Sequence, residues 1–201
     1  MSSSAPRGKK AQRAAERRAA AARAKKRKRT MYFGVLAVVL VGVVVALWPK
    51  PLPEVLASVE TFPDLGQDHV DPATQNPEYN SDPATSGPHS ANPAPCGVFR
   101  QPIPDLNQVH DLEHGAVAIL YQPEIDPAVR DQLEDFARQV GTHILVSPRP
   151  GLSDPVVLVA WTRLLRLAEL DMEAVQAFYD SFAQRGPEAG VPCPFAVDEG
   201  A

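Results

Sequence analysis

The chain has 201 residues, 44% of them hydrophobic and 22% charged, two cysteines and a formal net charge of −4. That small charge conceals two opposite halves. Residues 1–30 hold twelve of the twenty Lys and Arg against one acid, Glu16, which leaves eight basic and 23 acidic residues beyond them, a net −15. So acidic a remainder argues against nucleic acid and anionic lipid as its partners and is compatible with cation binding.

Residues 31–48, from Met31 to Trp48, carry no charge. A basic block that ends against an uncharged apolar run predicts a transmembrane signal anchor, with the 1–30 tail in the cytoplasm and everything after Trp48 exported. Eighteen residues at about 1.5 Å each make about 27 Å of helix, a little short of the hydrocarbon core. Tyr32 and Trp48 bracket the run as interfacial aromatics do. Val44-Val45-Ala46 offers the alternative of a cleaved signal peptide, against which stand the long basic region and Trp48-Pro49. The expected location is the inner or plasma membrane, single-pass. The tail's charge is explained by topology and by attraction to anionic lipid, with no nucleic-acid role.

Pro49 to Pro104 contains twelve of the 21 prolines and no periodicity. Proline fixes φ and withholds a donor, so this stretch should run extended or through turns. Residues 49–75 are expected to form a proline-rich stalk and residues 76–197 an exported α+β domain. Cys96 and Cys193 fall on the exported side, where an even pair is first read as a disulfide; two free thiols or a metal pair are the alternatives.

Ala116–Tyr121 is an almost wholly apolar run and predicts a buried strand. Asp126 as N-cap, Pro127 at the first helical position and Gly141 as a stop predict a helix, with Val129, Leu133, Phe136 and Val140 on its core face. Thr142–Ser147 and Pro155–Trp161 read as strands. Residues 163–168 read as a return strand, with a helix start as the alternative. Asp171 caps a last helix carrying Val175, Phe178, Tyr179 and Phe182, ended by Gly186-Pro187. The order predicts a small α+β sandwich, a mainly antiparallel sheet with two helices on one face, preceded by the transmembrane helix and the proline-rich segment.

Three of the five histidines lie in two dense motifs, His89 in Thr85-Ser86-Gly87-Pro88-His89, and His110 and His114 in Val109-His110-Asp111-Leu112-Glu113-His114-Gly115. The second reads H-x-x-E-H, the pattern of inverted zinc peptidases, with two zinc ligands and a general-base Glu. Local geometry decides its worth. Four residues apart on a helix, the two imidazoles lie about 6 Å from each other and share one ion; on a strand they lie about 13 Å apart and do not. Gly115 and an apolar strand follow at once, so any helix here is expected to be a single turn. A weaker version has His89, His110 and His114 converging on one divalent transition metal, with Glu113 or Asp111 as a further ligand. Alternatively the histidines hydrogen-bond backbone carbonyls and hold the proline-rich segment in place. His69 in the stalk and His143 at a strand start are given no role, and Trp161 and Tyr121 read as packing.

At these motifs the chain resembles a bacterial family known as domain of unknown function 3105, on Thr85–His89, Leu112-Glu113-His114-Gly115 and the late Pro187-Glu188, over roughly residues 75–195. The resemblance implies a basic tail, one span and a small exported domain, and it implies no activity. The leading expectation is a non-enzymatic binding or assembly module with an envelope protein partner. Its site is His89, His110 and His114 for a metal, with Thr85, His89 and Glu113 for a small ligand, and no residue is assigned a catalytic role. The rivals are a metal-dependent hydrolase with Glu113 as base and a purely structural component of an envelope complex.

Overall fold

The structure is a computed structural model that describes residues 52–73 and 75–200, together with helical residues at 23, 26, 31–34, 36–37, 39–41 and 43. The chain divides into two compact units, Met1–Pro51 and Leu52–Ala201. In the first, the large apolar residues described between Met31 and Val43 are exposed. Among the described residues no helix is long and apolar enough to cross a membrane. The expected span 31–48 lies in part outside those residues, as do most of the basic tail and Val44-Val45-Ala46.

The second unit is built around β5 (Val117–Tyr121), all five residues of which are buried. An apolar run without alternation belongs in the middle of a sheet with both faces covered. Indeed β5 lies between β6 (Ile144–Pro148), parallel to it, and β7 (Val156–Ala160), antiparallel to it. Residues 163–168 resolve as the expected return strand, β8 (Arg163–Leu167), paired with β7 from Ala160↔Arg163 to Val156↔Leu167. Short strands complete the sheet: β1 (Glu60–Thr61), β4 (Gly97–Val98) and β9 (Val197–Asp198), in the order β1-β8-β7-β5-β6-β4-β9. The sheet is mixed, antiparallel from β1 to β5 and parallel from β5 to β9. A separate parallel pair joins β2 (His69–Val70) to β3 (His89–Ser90). Part of the segment expected to be a stalk is thus paired to the domain, because β1 and β2 both fall within 49–75.

Three helices accompany the sheet: α1 (Asp105–Glu113), α2 (Pro127–Val140) and α3 (Met172–Phe182). The Asp126 carboxylate accepts from Ala128 N–H, and that of Asp171 from the N–H groups of Glu173 and Ala174, so both expected caps are made. α2 and α3 supply Leu133, Phe136, Ala137, Val175 and Phe178 to a core with Val117, Ile119, Ile144, Val146 and Leu158. The two helices expected over the sheet are therefore present. The α+β class holds, with the parallel half of the sheet and a third helix in addition.

That third helix, α1, corrects the sequence reading of residues 110–114. The H-x-x-E-H motif ends a nine-residue helix and not a single unsupported turn. Its pattern was hidden because the buried face is mostly polar: Gln108, His110, Asp111 and Glu113 are buried along with Val109 and Leu112. Leu112 packs into a second core with Ala118, Leu120, Leu145, Val157, Val159 and Leu164. Cys96 and Cys193 belong to the same core and form a disulfide with Cα atoms 5.6 Å apart. The bond closes the loop between the proline-rich segment and the chain's end, the first of the three readings of the pair.

Candidate histidine–carboxylate centre

Three stretches of chain meet at the end of α1. The parallel pairing of β2 and β3 sets His69 opposite His89, and opposite residues in a ladder present their side chains on the same face. On α1, His110, Glu113 and His114 stand at i, i+3 and i+4, neighbours on one helix face. The His69, His89 and His110 rings then lie 5.0–5.2 Å apart between centroids, His69 stacked on His110, and His114 stands edge-on to His110 at 4.4 Å.

Hydrogen bonds fix which nitrogen of each ring is free. His89 Nδ1 lies 2.9 Å from the Gly87 carbonyl and His110 Nδ1 2.7 Å from the Ser90 carbonyl. A carbonyl only accepts, so both Nδ1 atoms carry a proton and donate it, which leaves the Nε2 of each ring facing the cluster. His89 Nε2 lies 3.1 Å from Glu113 Oε2, and His110 Nε2 lies 3.0 Å from His114 Nε2. A lone pair aimed at a carboxylate needs a cation between them, either a proton or a metal ion. His89 and Glu113 are 0% and 2% exposed, so water does not screen that contact.

His69, His89, His110 and Glu113 each offer one ligand atom, all within 4.8 Å of one another; Glu113, His114 and Glu188 form a second such group. A tetrahedral ion with bonds of about 2.0–2.1 Å holds its donors about 3.4 Å apart, so closing the first group on an ion takes a contraction of about 1.4 Å at most. Burial, and then the neighbouring His110, hold the His114 imidazole below its ordinary pKa, toward the neutral form that a metal requires.

His143 is the contrasting case. Its Nδ1 lies 2.7 Å from the hydroxyl of the adjacent Thr142 and its Nε2 3.0 Å from the Val191 carbonyl, so both nitrogens have partners outside the cluster.

Of the residues expected at the site, His89, His110, His114 and Glu113 come together. Thr85 is buried elsewhere, its hydroxyl on Ser81 and its carbonyl accepting from Thr162 N–H. Asp111 is in neither donor group: its Oδ2 accepts from Ala94 N–H, and its buried Oδ1 has no hydrogen-bond partner among the described residues. Burial pushes its carboxyl up to about 8. Asp111 and His114 line a cavity of about 390 Å³ beside the Cys96–Cys193 bond.

Two members escaped the sequence reading. His69 sits in a stretch without periodicity, and only a long-range parallel pairing delivers it. Glu188, which enters the sequence reading only through the family resemblance, is exposed and its carboxylate lies 3.6 Å from His114 Nε2. The backbone puts it there: Glu188 N–H donates to the Glu113 carbonyl, and a Cβ at Gly186 would overlap the carbonyls of Leu112 and Glu113. Only glycine permits so close an approach of the two segments.

Fold and cluster together define a small α+β domain with a histidine–carboxylate cluster whose His89, His110 and Glu113 are buried and whose His69 is exposed. The family described as "Protein of unknown function (DUF3105)" matches residues 69–194, more than half of the chain. The chain belongs to that family, as the motif resemblance implied. It matches no curated protein and no solved structure.

Proposed function

We propose that the domain is a metal-binding module that holds one divalent transition cation between His69, His89, His110 and Glu113. The observation that carries it is the orientation of two buried imidazoles. His89 and His110 both spend Nδ1–H on a backbone carbonyl and aim Nε2 into a group of further donors. Metal-ligating histidines are held in this way, the second nitrogen donating to a carbonyl or carboxylate that fixes tautomer and orientation. Three imidazoles and one carboxylate suit Zn²⁺ and its first-row neighbours. With respect to the metal site read from sequence, His69 and Glu113 join His89 and His110 around the ion, and His114 stands beside it.

The structural alternative has each histidine buried singly and bonded to backbone; His89 and His110 do bond backbone carbonyls through Nδ1, but their Nε2 atoms meet Glu113 and His114, so neither is buried singly. The hydrolase alternative keeps one supporting feature, the helical geometry of His110–His114. Against it, the Glu113 carboxylate lies among the ligands, 3.1 Å from His89, where it binds and does not act as a free base.

The same proposal sets the domain outside a membrane, on a single-pass anchor at 31–48 with the basic tail inside. The charge pattern and the disulfide support it, since such bonds persist in oxidising compartments.

The test is the zinc retained by the untagged full-length chain after loading and exhaustive dialysis, compared with the His89→Ala/His110→Ala double variant. The parent should retain stoichiometric zinc and the variant none. Equal retention by both proteins, or by neither, would refute the site.

A further inference from the structure

We infer that the centre holds two cations, with the Glu113 carboxylate bridging them and His114 and Glu188 as the ligands of the second. The inference rests on the metal-binding reading above and extends it.

Glu113 is the one residue common to both donor groups, and a carboxylate has two oxygens to divide between two ions. Oε2 faces His89 Nε2 in the first group. In the second group His114 is 12% exposed and Glu188 half-exposed, so that group opens toward solvent.

The contact between His110 and His114 points the same way. Two imidazole Nε2 atoms lie 3.0 Å apart, and His110 donates its Nδ1 proton to the Ser90 carbonyl. A single ion in the first group takes His110 Nε2 and leaves His114 and Glu188, 3.6 Å apart, facing each other on its flank. A second ion gives His114 Nε2 and the Glu188 carboxylate a common partner.

The Glu188 backbone is fixed in place. The Glu188 N–H to Glu113 carbonyl bond and the Gly186 contact fasten the 186–188 turn onto the end of α1, so that backbone geometry alone brings a second carboxylate to a helix end that already presents Glu113 and His114. Carboxylate-bridged pairs of divalent ions, about 3.5–4 Å apart, are an arrangement that proteins use to grip an oxygen shared between the metals. The open side at His114 and Glu188 is where such an oxygen, from water or an oxyanion, would enter.

The experiment is a metal count on the untagged full-length chain. Apo protein is saturated with Zn²⁺, freed of excess and measured for equivalents bound, beside the Glu188→Ala variant, whose side chain is exposed enough to leave folding intact. Two equivalents in the parent and one in the variant are expected. One equivalent in both overturns the second cation and leaves the single-metal reading standing. No zinc in the parent overturns both, and two equivalents retained by the variant overturn the assignment to Glu188.

Discussion

On one face of the sheet α2 and α3 cover Ile119, Val146 and Leu158 with Leu133, Phe136, Val175 and Phe178. On the other, α1 buries Gln108, His110, Asp111 and Glu113 beside Leu112 and Leu120. Buried apolar atoms stabilise the fold by leaving water, about 25 cal/mol per Å². Buried polar groups oppose it unless each finds a partner. The first face is accounted for by folding alone. The second sets His89 Nε2 3.1 Å from the Glu113 carboxylate inside a group of four metal-ligating side chains, and so many polar groups gathered on one buried face call for a reason beyond folding.

If that division is right, damage to the two faces should differ in kind. Phe178 is fully buried on the apolar face, so Phe178→Ala should cost about 3–5 kcal/mol of stability in urea unfolding, with zinc stoichiometry in the folded protein unchanged. Loss of zinc in a folded Phe178→Ala protein would show that the two faces are not separable. The disulfide, on the histidine face, closes a sequence separation of 97 residues. Its removal in a Cys96→Ala/Cys193→Ala double variant should cost about 2–4 kcal/mol by the same measurement; a variant as stable as the parent would place no constraint on the chain's end.

These effects track how the sequence could be read. β5 to β8, α2 and α3 were legible because apolar spacing and side-chain caps are local signals, and Asp126, Asp171 and Gly141 mark their ends within a few residues. α1 was not, since its buried face is made of residues that pattern as surface and its N-terminus, after Pro104, has no side-chain cap. The centre was half legible. His89, His110, His114 and Glu113 stand in dense motifs. His69 depends on a two-residue parallel pairing, and Glu188 on a turn docked at a glycine, neither of which leaves a periodic trace. A metal centre assembled from helix end, short strand and turn is a long-range object.

Smaller effects sharpen the comparison on the histidine face. Zinc at about 100 times its dissociation constant should stabilise the parent by about 2.7 kcal/mol through linkage, and should leave the melting temperature of His89→Ala/His110→Ala where it was. An equal upward shift in both would mean that zinc acts elsewhere. The least of the effects concerns Asp111, studied under chelation. Its folded-state carboxyl is raised to about 8 by burial, against about 3.9 in an unfolded chain. A raised carboxyl contributes stability that is complete below pH ~3.9 and is lost as pH climbs through about 8, because the unfolded chain gives up its proton first. Asp111→Asn stays neutral throughout and its amide oxygen can still accept from Ala94. Its melting temperature should therefore gain on the parent's steadily between pH 4 and 8 and level off above. Parallel profiles would mean that Asp111 is solvated in the folded protein.

The most direct test of the metal centre is the zinc X-ray absorption spectrum of the loaded full-length chain. Imidazole nitrogen and carboxylate oxygen at about 2.0–2.2 Å, with the outer-shell scattering of histidine rings and no sulfur at about 2.3 Å, is the predicted result. A spectrum of zinc surrounded by water or by carboxylates alone, without ring scattering, would contradict the histidine centre outright.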